Sequence, residues 1–160
     1  MIDKFNLIFV TFLNTGRIGF APGTFASFFT CIVFLFLNNF IDVKIIFILT
    51  LIIFLYSIFA INKVIKHFNS DDPKEIVIDE FVGQMLTLLA IPIYQNFYPT
   101  FDIYYCVYAF FLFRLFDIWK PFPVNYVDKN IKGAFGIMLD DVVAAIYVII
   151  FMTITFFVLG

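Results

Sequence analysis

The chain has 160 residues, 63% of them apolar and 14% charged, with 26 Phe and a formal net charge of -2. Its mean hydropathy of +1.02 excludes an ordinary water-soluble globule and points to a membrane protein, and its length fits one domain, residues 1–160. The charge balance and the lack of a basic cluster exclude nucleic acid as a partner, and no protein partner is legible.

The first dozen residues place Phe5, Ile8, Phe9 and Phe12 along one side of a helix suited to lying in a membrane interface. With no basic leader and no small-residue cleavage site, they are not expected to act as a signal peptide. Next comes GFAPGTFAS, residues 19–27, where Pro22-Gly23 signals a turn and Thr24 is suited to cap a helix beginning near Phe25. A tight glycine turn at a helix N-terminus leaves backbone N–H groups free, which suits a phosphate seat as well as plain turn-and-cap chemistry.

Stretches 43–61, 78–95, 102–119 and 142–159 are each close to the roughly 20 residues a spanning helix needs, and 25–38 is shorter. The expected fold is therefore all-α, a small polytopic membrane bundle with about four to five membrane-embedded helices. Cys31 and Cys106 fall inside apolar runs without CxxC or Cys/His spacing and read as small buried apolar residues. Lys63, Lys66 and Lys74 lie in segment 62–77, Lys120, Lys129 and Lys132 in 120–139, and Arg17 in 14–24, whereas 38–44 has only Lys44 and 96–101 has no basic residue. That asymmetry assigns the three basic segments to the cytoplasmic side.

Nearly every unusual residue sits in those same segments. In DDPKEIVIDEFVGQM, residues 71–85, Asp72, Pro73 and Glu75 have the form of an N-cap, a first-turn proline and a capping-box acid, so a helix is expected from Pro73. Asp79 and Glu80 would then fall in the second turn, where capping does not explain them. Acids near lipid are costly without a role, and Glu75 and Asp79, four apart, repel unless a cation is close.

In FRLFDIWKPFP, residues 113–123, Arg114, Asp117 and Lys120 recur every three residues on one helical face before Pro121 ends the helix. Lys120 beside Trp119 suits an interfacial anchor. Arg114 and Asp117 lie deeper, where anchoring does not account for them, although they can pair with each other. Gly133 and Gly136 are expected to form a flexible loop leading to Asp140-Asp141, of which one can cap the last helix and the other is surplus.

Asp79/Glu80, Asp117 and Asp140/Asp141 thus gather at one membrane face with Arg114, Lys120 and Lys132, and oxygen ligands with bases beside them suit Mg²⁺ and phosphate. A single histidine, His67, excludes a two-histidine phosphatase, and the cysteine-phosphatase, DxDx(T/V) and DGxxAR patterns are absent. Metal-assisted chemistry on carboxylates remains. The rival class is a small transporter or channel with a one-sided acidic ion site, which would spread acids through the bilayer depth.

GFAPGTFAS, IVIDEFVGQ, FRLFDIWKPFP and GAFGIMLDD, in that order, resemble the signature stretches of the phosphatidylglycerophosphatase A family over about residues 14 to 150. The resemblance implies a Mg²⁺-dependent enzyme of the bacterial inner membrane, multi-pass and with its active site on the cytoplasmic face. Its substrate would be the phospholipid phosphatidylglycerophosphate, from which it removes the terminal phosphate to leave phosphatidylglycerol; its only other partners would be membrane lipids. By position, the family's motif residues fall on Pro22, Gly23, Thr24, Asp79, Glu80, Gly83, Arg114, Asp117, Lys120, Pro121, Gly136, Asp140 and Asp141. On this reading Asp79, Glu80, Asp140 and Asp141 hold the metal, and Gly23, Thr24, Arg114 and Lys120 hold substrate. Asp117 serves as ligand, base or partner of Arg114, and whether water or a carboxylate attacks phosphorus is not readable. Ala26, Ala134 and Ala145 stand where the family usually has glycine, and none of them touches a proposed ligand.

Overall fold

A computed structural model describes residues 4–68, 70, 73–96 and 102–158. All regular structure among them is helical: α1 (Lys4–Val10), α2 (Pro22–Leu37), α3 (Val43–Val64), α4 (Ile78–Leu88), α5 (Ile91–Gln95), α6 (Asp102–Trp119), α7 (Val124–Asn130) and α8 (Gly133–Val158). Short 3₁₀ turns occupy Thr15–Arg17 and Ile65–His67. The all-α expectation is met.

The number of spans differs from expectation. Among the described residues two helices, α3 and α8, are long and apolar enough to cross a membrane, against the four to five expected. The reasons are local. At 16 residues α2 is short. The 18 residues of α6 include Asp102, Arg114 and Asp117. The 78–95 stretch breaks at Leu89-Ala90, because Pro92 has no N–H to continue the α4 ladder and instead opens α5.

Much of the exterior is apolar. Ile45, Ile48, Ile52, Leu55 and Phe59 of α3 and Phe111 and Leu115 of α6 all stand exposed. Contiguous apolar surface of that extent suits helices solvated by lipid, and the protein is membrane-associated. Polar side chains turn inward instead. Thr30, Thr50 and Ser57 are buried and donate to the carbonyls of Ala26, Ile46 and Ile53 at 2.8, 2.8 and 2.7 Å, which satisfies each hydroxyl within its own helix.

The short helix α4 runs through the middle, packed on α8, α2, α3 and α6, and most of its side chains are buried. Gly83 makes the close approach possible. A Cβ there would lie 2.6 Å from the Phe113 ring and 3.0 Å from the Asp141 carbonyl, so any side chain would push α4 away from both α6 and α8.

Several predicted helix starts move, each with consequences for the polar residues. The N-terminus of α2 is Pro22 and not Phe25; Ala21, at φ 43°, occupies the cap position without a side-chain cap, so Thr24 lies inside the first turn. The N-terminus of α4 is Ile78 and not Pro73, because residues 73–77 form a turn whose Val77 N–H bonds the Val10 carbonyl at 3.0 Å. Asp79 and Glu80 therefore occupy the first turn of α4 and not the second. The expected cap, Asp72, lies outside the described residues.

The last helix begins at Gly133 and not near residue 142, so Asp140 and Asp141 project from its third turn and cap nothing. Gly133 and Gly136 open that helix and do not form a loop. Near the N-terminus, α1 packs on α3 and buries Asn6 and Val10 while Phe5 and Ile8 stay exposed; the Tyr56 hydroxyl donates to Asn6 Oδ1 at 2.7 Å.

Helix directions now place the site. The N-termini of α2 and α4, the C-terminus of α6 and the third turn of α8 meet at one end of the bundle. At the other end Asp102 accepts from the Asn38 amide at 3.1 Å and from the Gln95 amide. Of the 96–101 connection only Asn96 is described.

Candidate active site

Asp79 and Glu80 in α4 and Asp141 in α8 bring one carboxylate oxygen each to within 4.8 Å of one another. Two features of this cluster call for a ligand. Glu80 Oε2 and Asp141 Oδ2 are buried and find no hydrogen-bond partner among the described residues, and a buried carboxylate without a donor is costly. The donors are all hard oxygens, which suit Mg²⁺, Ca²⁺ or Mn²⁺ and not a thiolate- or imidazole-seeking ion. These three residues fit a divalent cation.

The first turn of α2 closes over this cluster. A Cβ on Gly23 would lie 1.9 Å from Glu80 Oε1 and 3.3 Å from Arg114 Nη1, so glycine lets the backbone of α2 come down onto Glu80 and Arg114 without displacing either side chain. Arg114 Nη1 lies 2.8 Å from Asp117 Oδ2 and 3.9 Å from Glu80 Oε1, and it donates to Ser27 Oγ at 3.4 Å. The pairing of Arg114 with Asp117 is thus present, but it forms part of a wider network. Arg114 Nε, also buried, finds no acceptor among the described residues.

Lys120 follows α6 in a left-handed conformation, φ 47°, which turns the chain before Pro121. Its ammonium donates to Asp128 Oδ1 at 2.6 Å and to Asp140 Oδ2 at 2.7 Å. Burial alone would lower its pKa, but the hydrogen bonds to Asp128 and Asp140 outweigh burial and hold it above the ordinary lysine range. Its charge therefore persists through neutral pH, and the stability it contributes is lost only as the pH climbs through that raised value.

All nine residues given a metal, substrate or catalytic role from the sequence line one cavity of about 440 Å³, namely Gly23, Thr24, Asp79, Glu80, Arg114, Asp117, Lys120, Asp140 and Asp141, whereas Lys132, expected beside them, does not. Their grouping within it is finer than the sequence implied. Asp141 joins Asp79 and Glu80, whereas its neighbour Asp140 faces Lys120. Sequence reasoning overlooked three participants. Ser27 stood within GFAPGTFAS, one helical turn past Gly23, and could have been found there. Lys74, which lines the cavity from the 73–77 turn, was counted only as a topogenic charge. Asp128 reaches Lys120 through the chain reversal at Pro121, and no spacing signals that contact.

An all-helical, membrane-associated protein with an acidic, cation-bordered cavity at one end of its bundle belongs to the class in which a metal and an anionic ligand can be held side by side. Rival membrane chemistry with acids distributed through the helices does not match this one-ended arrangement. Comparison with known proteins makes the class specific. The chain belongs to the phosphatidylglycerophosphatase A family, whose profile matches residues 8–156. It is 39% identical over 150 residues to the phosphatidylglycerophosphatase A of Haemophilus influenzae, covering 94% of this chain and 87% of that one. It is 31% identical over 146 residues to the phosphatidylglycerophosphatase A of Escherichia coli, covering 91% and 80%. A Bacteroides thetaiotaomicron protein, 34% identical over 154 residues with 94% and 92% covered, is named, provisionally, a phosphatidylinositol-3-phosphatase. No solved structure matches the chain.

Proposed function

We propose that this chain is a Mg²⁺-dependent lipid phosphatase that hydrolyses the terminal phosphomonoester of phosphatidylglycerophosphate, yielding phosphatidylglycerol and phosphate. It acts as one domain over residues 1–160, a polytopic bundle of the bacterial inner membrane whose cavity opens to the cytoplasm. The observation that carries the reading is the single cavity in which the Asp79/Glu80/Asp141 cluster stands beside Arg114 and Lys120.

Asp79, Glu80 and Asp141 are the residues that would hold Mg²⁺. Bound there, Mg²⁺ would supply positive charge against the phosphoryl oxygens. Arg114, oriented by Asp117 and Ser27, presents its remaining N–H donors to a phosphate oxygen. Lys120 adds a compact positive charge, which Asp140 and Asp128 hold in place from the side. The first turn of α2, carrying Gly23 and Thr24, turns the positive end of its helix dipole toward the same anion.

Phosphate release by the purified protein from phosphatidylglycerophosphate tests this reading, with phosphatidylinositol 3-phosphate run in parallel. Release abolished by a chelator and restored by Mg²⁺ is the expected result. No release from phosphatidylglycerophosphate would overturn the substrate, and release indifferent to the chelator would overturn the metal.

The topology has its own check. Cysteines at Ser70 and Asn130, in a background without Cys31 and Cys106, should both resist an impermeant thiol reagent in intact cells. Labelling of either would remove the cytoplasmic assignment.

Lys120→Arg separates anchoring from function at that position. An interfacial anchor tolerates arginine, but a larger planar guanidinium does not fit an ammonium seat with carboxylate oxygens at 2.6 and 2.7 Å. Turnover is expected to fall at least tenfold in a normally inserted protein. Unchanged turnover would return Lys120 to the role of anchor.

A further inference from the structure

Directly below the polar cavity, between α2 and α6, lies an apolar groove of about 240 Å³. Phe28, Ile32 and Leu35 form one wall, Ile103, Val107 and Phe111 the other. We propose that this groove receives one acyl chain of the glycerophospholipid whose phosphate occupies the cavity. The inference rests on the lipid-phosphatase reading and adds to it the place where the enzyme holds the hydrophobic part of its substrate.

Register carries the argument. On α2, Phe28, Ile32 and Leu35 follow Thr24 at intervals of four, eight and eleven residues; on α6, Phe111, Val107 and Ile103 precede Arg114 by three, seven and eleven. These are the spacings of a single helical face. The two groove walls are therefore continuations, along the same two helices, of the faces that carry Thr24 and Arg114 at the cavity. The helices are tied together at the upper end, where Arg114 bonds Ser27 at 3.4 Å.

Length and polarity agree with a hydrocarbon occupant. From Phe28 to Leu35 the helix rises about 10 Å, compared with roughly 15 Å for half of a bilayer's hydrocarbon core. A chain lying there stays within one leaflet. The lining contributes no polar side chain other than the thiols of Cys31 and Cys106, both buried at the groove floor. A second apolar hollow, about 140 Å³ between Phe47, Leu51, Val82 and Leu86, is smaller, and although α4 and α8 on one side of it carry cavity residues, its other wall, α3, sends none there. It is not assigned to the substrate.

Two measurements test the proposal. In the first, Ile32→Trp and Val107→Trp fill the groove, and kcat/KM is measured on dioleoyl and dihexanoyl phosphatidylglycerophosphate. The long-to-short ratio is expected to fall at least tenfold in both variants, and to hold in Ile48→Trp on the exposed face of α3. A ratio that does not change, or that falls equally in Ile48→Trp, overturns the groove. In the second, the unaltered protein is photolabelled in vesicles with a diazirine-tailed phosphatidylglycerophosphate. Excess unlabelled phosphatidylglycerophosphate should protect the peptides around Ile32 and Val107, and excess phosphatidylcholine should not. Equal protection by both lipids, or by neither, overturns the proposal even when no phosphate is released. Absence of release from either chain length, with selective protection intact, counts against the phosphatase reading alone.

Discussion

Asp141→Asn is expected to lower lipid phosphatase turnover roughly a thousandfold, about 4 kcal/mol of transition-state stabilisation, while leaving the metal-free protein at least as stable as the unaltered chain. The two effects have one cause. Asp141 is buried, its Oδ2 has no partner among the described residues, and its carboxylate lies within 4.8 Å of those of Asp79 and Glu80. Carboxylates that close repel one another when ionised, so in the absence of a cation the cluster can carry its full charge only at a cost. An isosteric amide removes one charge and relieves the repulsion, but it also removes the strongest kind of ligand for a hard cation. Asp79→Asn removes another ligand of the same cluster and should lower turnover to a similar extent.

Turnover and thermal unfolding with and without Mg²⁺ check this pair of expectations. The unaltered protein should gain thermal stability from Mg²⁺, since a ligand that binds only the folded state stabilises it, and the variants should lose that gain. Near-normal turnover of either variant at saturating Mg²⁺ would take that residue off the metal. A marked loss of metal-free stability would identify the carboxylate as a structural partner.

Gly23→Ala is expected to cost roughly a hundredfold in turnover with little change in folding stability. The added methyl would sit 1.9 Å from Glu80 Oε1 and 2.7 Å from Glu80 Cδ. Both atoms belong to the end of a flexible side chain, which can swing aside at small energetic cost. Swinging aside, however, moves Glu80 away from Asp79 and Asp141, and a displacement of about 1 Å at a reacting centre is enough for a loss of that size. A companion change, Glu80→Asp in the Gly23→Ala background, shortens the acid and should recover part of the activity. Full turnover in Gly23→Ala alone would show that the position of Glu80 does not matter.

These expectations depend on different levels of information. The membrane class, the all-α fold and the identity of the polar residues followed from composition and from a few dipeptides, Pro22-Gly23, Asp79-Glu80 and Asp140-Asp141, that an apolar chain has no local reason to keep. Their convergence on one end of the molecule was also legible. Alternating helices carry neighbouring polar segments back to the same side, and the structure gathers all nine residues around one cavity.

Only the tertiary structure decided how the residues divide. Asp140 and Asp141 are consecutive, yet one bonds Lys120 and the other joins Asp79 and Glu80. Consecutive residues on a helix point about 100° apart, so their directions depend on α8 already being helical from Gly133 and on which neighbours it meets. A composition-based boundary near residue 142 carried neither fact. The start of α4 was hidden for the same kind of reason, since the Val77 N–H is taken by Val10, a partner 67 positions earlier that local capping rules do not register. Asp128 became visible only once the chain had reversed after Lys120. By itself the sequence determined most of the polar side chains that line the cavity, because that is a matter of residue type and hydrophobic pattern. Which of them touch was decided by packing, because contact depends on helix phase and on chain segments far apart in sequence.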